Sequence, residues 1–372
     1  MNMTKPVEFN RNPFTSNRPL KRVGRNVFFS LGLPLVFTII ALILAACAQT
    51  TLFYVKGDPS STIKNIMIFV KGITMTIIAA MALNSNLNSG RMDFSLGATG
   101  ILASLLASYC IGSDVSSINQ IVYFLLLTIL FGMILGFINS LVFIFLKLPP
   151  IVMSLGMCLV FEGISKILVG ANNSHDLIDS EITGNFFYEP IVILPILGIV
   201  VLFMMMALCY TKWGYNKNAL VWDQKISVDT GIKEVSNCIV CFIIAGALIG
   251  IYQVMDSCSL SNVSIKTDLG SSGTVFKNFL PIFIGGILAK YSNQIGGLLL
   301  AVFATTMLST GMDAANEIGF NATVQSLING FSVFAVLVYM VDKDRFVNWC
   351  KKQKYNYTQR RLGRSTIGGE EQ

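Results

Sequence analysis

The sequence predicts an all-α, polytopic membrane protein of about ten transmembrane helices, and three observations carry that expectation. Hydrophobic residues make up 53% of the 372 positions and charged residues 13%, roughly half the charged share of a soluble domain. Apolar runs of about 20 residues recur, each long enough to cross ~30 Å of hydrocarbon. Basic residues gather in particular segments, as they do when they encode membrane orientation.

The elements follow in order. Residues 1–26 form a polar, basic N-terminal segment carrying Lys5, Arg11, Arg18, Lys21, Arg22 and Arg25 against Glu8. The first span covers 27–55. Its Leu44-Ala45-Ala46-Cys47 looks like a lipoprotein signal, but that would make a soluble mature chain, which the rest contradicts. The second span covers 65–83. A polar break at 84–97 containing Arg91, Asp93 and Ser95 precedes a third span that runs to 111. The fourth, 118–146, stops at Lys147-Leu148-Pro149-Pro150. Proline fits a first helical turn and not an interior, so the fifth span starts at Pro150 and runs to 169. A loop at 170–190 carries acids and the aromatic group Phe186-Phe187-Tyr188, and the sixth span ends near 210–213.

The stretch 213–234 is polar between two apolar runs. Within it Asp223 is placed to cap a short amphipathic helix, and Gly231 to end it in a left-handed conformation. A loop that merely turns the chain around needs no helix; one that a soluble partner pushes does. The seventh span covers 235–254. The eighth, 275–289, is short and broken near Pro281 and Gly285-Gly286. The ninth covers 295–308 and the tenth 324–341, so that 27–341 forms one transmembrane domain followed by a basic tail, 342–372.

Ten spans place both termini on one side. With the termini cytoplasmic, all nine arginines fall on the cytoplasmic side, and the opposite loops hold Lys56, Lys64, Lys266 and Lys277 among ten acids. The net charge of +7 therefore encodes orientation, and nucleic acid is not needed as a partner. Membrane lipid is. The sequence contains no GxxxxGK[ST] loop, so no ATP site of its own is visible. The eight cysteines fall mostly in apolar runs, where cysteine behaves as a small hydrophobe. The Cys238-x-x-Cys241 pair lies inside such a run, which argues against metal or redox use. The lone His175 reads as a surface residue. Neither an enzymatic constellation nor a cofactor motif is present.

Four patches resemble the permeases of bacterial ABC importers for simple sugars, the ribose-type group that is similar to branched-chain amino-acid permeases. Arg91-Met92-Asp93-Phe94-Ser95-Leu96-Gly97 is similar to that family's Gly-Gly-Ile-Asp-Leu-Ser-Val-Gly. The stretch 132–139 with Leu148-Pro149-Pro150-Ile151-Val152 and Leu155-Gly156 resembles its Gly-rich span and Pro-Pro-Phe-Ile-Ala-Thr-Leu-Gly turn. Thr211-Lys212-Trp213-Gly214, Ala219-Leu220 and Thr230-Gly231-Ile232 resemble its coupling segment in spacing. Phe283-Ile284-Gly285-Gly286 with Gly296-Gly297 resembles its late Gly-Gly stretch. Together these cover roughly residues 65–340. Val221, Trp222 and Asp223 stand where the family has Gly-Gly-Asn, Ile226-Ser227 replaces an Ala pair, and Tyr215 replaces an arginine. These departures bear on the fit of a partner ATPase.

The resemblance implies a permease in a bacterial plasma membrane, translocating a monosaccharide. A second permease copy, or a relative, would complete the pathway. A cytosolic ABC ATPase would drive it, and an extracytoplasmic substrate-binding protein would deliver the substrate. The resemblance also implies that Asp223, Gln224, Lys225, Ile226, Ser227, Val228, Asp229 and Gly231 form the ATPase coupling helix. A nucleoside-importing ABC permease is a neighbouring reading, and an ion-coupled secondary transporter or a membrane scaffold is a different one. The capped cytoplasmic stretch and the scarcity of intramembrane carboxylates favour the first.

The polar positions within apolar spans are the pathway candidates: Asp93, Asn139, Glu162, Gln253 and Asn329. Asp93 either faces a cavity or pairs with Arg91 and caps the third span over Ser95. Glu162 and Lys166 stand at i, i+4 with Glu first, the favourable order for a structural ion pair; a place on the path is the alternative. Asn139, Gln253, Asn329 and Ser332 offer the neutral donors and acceptors that sugar hydroxyls need, and that helix–helix hydrogen bonds need equally. Gly132-x-x-x-Gly136 and Gly246-x-x-x-Gly250 predict close-packing faces. Interrupted helices in the two halves, near Asp93 and near Pro281, point to a transport site.

Overall fold

The two glycine pairs lie against each other and set the centre of the molecule. A computed structural model describes residues 19–48, 52–53, 59–87, 91–112, 118–146, 148–177, 186–222, 224–289 and 291–338. In it α4 (Ile118–Leu146) crosses α9 (Glu234–Leu260) so closely that glycine is required at the contact. A Cβ on Gly132 would run into the Gly246 carbonyl, one on Gly136 into the Phe242 carbonyl, and one on Gly250 into the Thr128 carbonyl. Between membrane helices no hydrophobic driving force exists, so this backbone approach is what holds them.

Around that seam stand α1 (Pro19–Cys47), α2 (Pro59–Leu87), α3 (Leu96–Ile111), α5 (Pro150–Val169), α6 (Pro190–Tyr210) and α12 (Gln294–Ala314). The helix α3 packs on α4, α5 and α9, and α12 packs on α1 and α2. Two short helices, α7 (Lys212–Trp222) and α8 (Gln224–Asp229), link α6 to α9. The helices α10 (Gly273–Lys277), α11 (Phe279–Leu288) and α13 (Ala322–Val338) complete the set. The strands β1 (Ser174–Asp176) and β2 (Asn262–Ser264) pair antiparallel at the end of the molecule where α5 and α9 finish. Their register sets His175 opposite Val263.

The fold is all-α apart from this pair. Among the described residues seven helices are long and apolar enough to cross a membrane: α1, α2, α4, α5, α6, α9 and α12. The predicted third, eighth and tenth spans are shorter helices, α3, the α10–α11 pair and α13.

Several expectations are corrected. Helix α1 begins at Pro19, inside the segment 1–26, because proline at a first turn starts a helix and basic residues continue one. It ends at Cys47, short of the predicted 55. Within 213–234 helix covers Lys212–Trp222, the part expected to be loop, as well as Gln224–Asp229. Position 223, the predicted cap, lies outside the described residues, as does the tail 342–372. Gly231 does take φ 93°, and the N–H of Ile232 donates to the Ser227 carbonyl at 3.1 Å, closing α8.

The helix interruption assigned to Pro281 falls earlier, at Asn278, between α10 and α11. Pro281 lies in the first turn of α11, where its missing N–H costs nothing, and Gly285 and Gly286 sit in unbroken helix. Gly285 instead admits α12: a Cβ there would stand 3.0 Å from the Leu298 Cα. His175 is half-buried, stacked on Tyr109 with ring centroids 4.7 Å apart, and is not a free surface residue.

Candidate functional site

Asp93 lies in the short non-helical run between α2 and α3 and is buried, 2% exposed. Its Oδ1 accepts the Ser95 N–H at 2.9 Å and the Ser95 hydroxyl at 2.5 Å. Its Oδ2 accepts from the Asn86 and Asn139 amides, both at 3.3 Å. Asn139 also donates to the Ser95 Oγ at 2.7 Å. The carboxylate thus ends α2, starts α3 and ties both to α4. Arg91, expected as its ion partner, instead pairs with Glu234 of α9 at 2.9 Å and lies over the Phe143 ring.

Glu162, on α5, does the corresponding work for the turn that precedes α10. Its Oε2 accepts the Leu269 N–H at 2.9 Å and its Oε1 the Ser271 N–H at 2.8 Å. The predicted pair with Lys166 is absent. Lys166 reaches the other way, donating to the Asn172 carbonyl and the Asn173 Oδ1, each at 2.8 Å. A solvated i, i+4 ion pair gives roughly 0.3–0.5 kcal/mol, whereas each hydrogen bond to a buried charge gives about 1.5–3 kcal/mol. The carboxylate therefore turns to the two N–H groups, where it is stabilised more. The turn it holds is strained: Asp268 and Leu269 have φ of 58° and 63°. Beyond the turn the Ser271 carbonyl sits where a Cβ on Gly97 would be, and Phe94 stacks on Phe276 and Phe279. The break before α3 and the turn before α10 therefore meet.

A groove of about 670 Å³, lined by polar and apolar side chains together, runs between α2, α11, α12 and α13. Thr305, Thr306, Ser309, Thr310 and Asp313 line one face of α12 along it, and Asn65, Thr76, Asn278, Gln325, Ser326 and Asn329 close the other sides. Gln325 donates to the Asp313 carboxylate at 2.8 Å. Of the five predicted pathway residues the groove takes only Asn329. Asp93 and Asn139 sit together at their own junction, Glu162 at the other, and Gln253 donates within α9 to the Ser257 Oγ at 3.2 Å. Asn278 and Pro281 also line the groove. A smaller pocket of about 200 Å³, lined by Asn84, Phe283, Gly286 and Gln294, opens on the far side of α11.

The stretch expected to couple to a partner has a definite anatomy. On α8, Ile226 and Val228 are exposed, 61% and 43%, while Ser227 is buried. Lys225 and Asp229 are exposed, and the side chain of Gln224 lies outside the described part. Helix α7 is anchored inward: the Asn237 amide donates to the Trp213 carbonyl at 3.3 Å. Gly214 lies so near the Ala207 and Leu208 carbonyls that no side chain fits.

Sequence reasoning missed two buried lysines. Lys71, within α2, donates to the Ser259 hydroxyl and lies 4.2 Å from the Tyr188 ring centroid. Lys217, on α7, is wholly buried, and burial pushes its amine down to about 8. A lysine within an apolar run was the available signal for the first; the second stood in a polar stretch and looked solvated. Among the described residues no cluster of three or more His, Cys, Asp or Glu is placed to hold a metal.

Comparison with known sequences bears on all of this. The family described as branched-chain amino acid transport system, permease component, matches residues 65–337. The autoinducer 2 import system permease protein LsrC of Photorhabdus luminescens is 25% identical over 58% of the chain and 64% of its own length. The namesake from Photorhabdus laumondii is 22% identical over 75% of the chain and 81% of its own length. The fructose import permease protein FruF of Bifidobacterium longum is 22% identical over 68% of the chain and 72% of its own length. The chain thus spans under two thirds of the first of these relatives. No solved structure gives a significant match.

Proposed function

Because the chain belongs to the permease-component family of branched-chain amino acid transport systems, we propose that it is the membrane subunit of an ATP-driven importer for a simple sugar or a similar hydroxylated molecule. The family and the seven apolar helices make it a multi-pass membrane protein, and its relatives are bacterial permeases. Transport permeases are not enzymes, and ATP hydrolysis falls to a separate subunit. The names of the relatives do not favour the nucleoside or ion-coupled readings.

The observation that carries the proposal is the groove. Most of its hydroxyls bond their own helix backbone, but the buried Thr306 hydroxyl has no partner, and an Asp313 carboxylate open at one side is costly against hydrocarbon. Either water and substrate fill it or a second protein surface covers it. A second copy of this chain set against α13 does both, leaving a hydroxyl-lined path between the copies. The same chemistry suits a sugar, whose hydroxyls donate and accept in turn. In this reading α3, α10–α11 and α13 enter the bilayer with the seven longer helices, the termini lie in the cytoplasm, and α7–α8 face the ATPase. An extracytoplasmic binding protein docks at the β1–β2 end.

Helix α8 supplies the test. Ile226 and Val228 are exposed in a short cytoplasmic segment and suit a groove on a partner. Replacing both with Asp puts charge into that contact at a cost of roughly 2–4 kcal/mol. The purified permease should melt at the parental temperature, yet lose co-purification with the ATPase and substrate-stimulated ATP hydrolysis. Parental coupling in the double variant would refute the assignment. Orientation has its own check. With the native cysteines removed, single cysteines at Asn173 and Ser261 should react with an impermeant thiol reagent outside intact cells. One at Lys225 should not, and labelling there would invert the topology.

A further inference from the structure

The polar segment α7 contains a lysine that the transport reading leaves without a role. Lys217 is fully buried, and its Nζ donates to the backbone carbonyl of Asn84 at 3.1 Å. Asn84 lies near the C-terminal end of α2, which is described to Leu87. A cation there also meets the negative end of the helix dipole. The Trp213 ring, one turn back on α7, stands 5.7 Å from the same Nζ. Leucine or methionine would fill this volume without desolvating an amine. Burying a charge for packing alone is unfavourable, so the lysine marks a specific connection.

What it connects is informative. Asn84 and Leu87 form one wall of the smaller pocket, with Phe283 and Gly286 of α11 and Gln294 of α12 opposite. Two residues on from Asn84, the Asn86 amide holds Asp93. On the other side, α7 continues into α8, with its exposed Ile226 and Val228.

We infer that Lys217 is a positioning residue that ties the partner-facing helices to the wall of the smaller pocket, so that movement of α7–α8 displaces the end of α2 and opens or closes that pocket. The inference rests on the importer reading above and extends it to the route of the motion. The lysine touches no substrate; it acts through the Asn84 carbonyl. Among the described residues, the groups facing it are that carbonyl on α2, Trp213 on its own helix and Cys241 on α9, a titratable side chain on a neighbouring element that acts on its charge.

The test uses the whole complex of permease, ATPase and binding protein in proteoliposomes, with substrate uptake measured per ATP hydrolysed and per assembled complex. Lys217→Met keeps the volume and removes the donor. It should lower the transport-to-hydrolysis ratio about tenfold, within the usual range of coupling between sites. Normalising to assembled complex separates this from a folding defect. Lys217→Arg should restore the ratio. It should also abolish a pH dependence that the parent shows: the parental ratio should fall at least two-fold as pH rises through about 8, while the always-charged arginine stays flat. A parental ratio in Lys217→Met at both pH 7 and pH 9 would overturn the inference and leave the importer reading standing. An absence of ATP-driven uptake in the parent complex would overturn both.

Discussion

Asp93 and Glu162 are two buried carboxylates, 2% and 3% exposed, one holding the break before α3 and the other the turn before α10. They do so differently. Asp93 works mostly close at hand, gathering side chains seven residues back and two residues on, and one amide from α4. Glu162 works at a distance, accepting two backbone N–H groups 107 and 109 residues further along. Side chains that lose a partner can turn to another; two N–H groups fixed in a strained turn cannot. Glu162 is therefore the harder of the two to replace, although the sequence draws attention to the other.

Replacement puts that ranking to the test. Glu162→Ala orphans two buried N–H donors at about 1–3 kcal/mol each and removes the support of a turn with two left-handed non-glycine residues. A loss of roughly 3–6 kcal/mol should appear as a large fall in thermal midpoint in detergent, with little complex recovered. A midpoint within error of the parent would mean that the turn holds itself. Asp93→Asn is milder. The Oδ1 position keeps an acceptor for Ser95, but the new amide faces the Asn86 and Asn139 amides, donor against donor. The expected loss is about 1–3 kcal/mol, seen as reduced assembled protein with normal uptake per complex. Normal assembly with collapsed uptake would move Asp93 from the junction to the pathway.

What could be read in advance follows the range of the forces involved. The Gly132–Gly136 and Gly246–Gly250 seam was legible because both halves of the contact carry the same spacing. Pro150 and Gly231 were legible because proline and left-handed glycine act within one turn. Glu162 and Lys166 were misread because only their local geometry shows in the sequence, and the competing partners at 269 and 271 do not. The helix interruption was misplaced onto Pro281 because proline and paired glycines resemble a breaker. The real break at Asn278 uses no such residue, and Pro281 in a first turn breaks nothing. Of the groove, Asn329 alone was foreseen. Thr305, Thr306, Ser309 and Thr310 look like ordinary helix hydroxyls until α2 and α13 are set beside them. Lys71 and Lys217 went unread for the same reason, since their partners lie on other helices.

The reach of Glu162 also has a consequence for biogenesis. At synthesis rates of about 5–20 residues per second, the chain carrying α5 leaves the ribosome several seconds before the turn at 269–271 exists. In that interval Glu162 has neither of its two N–H donors, and an ionised carboxylate is costly in hydrocarbon. The nascent α5 must then linger near the headgroups until α9 and the turn arrive. Asp93 faces a shorter wait, because Asn86 and Ser95 flank it and Asn139 follows only 46 residues on. The order of synthesis thus completes the first junction while the second is still open, and final seating of α5 becomes a late, post-insertion event.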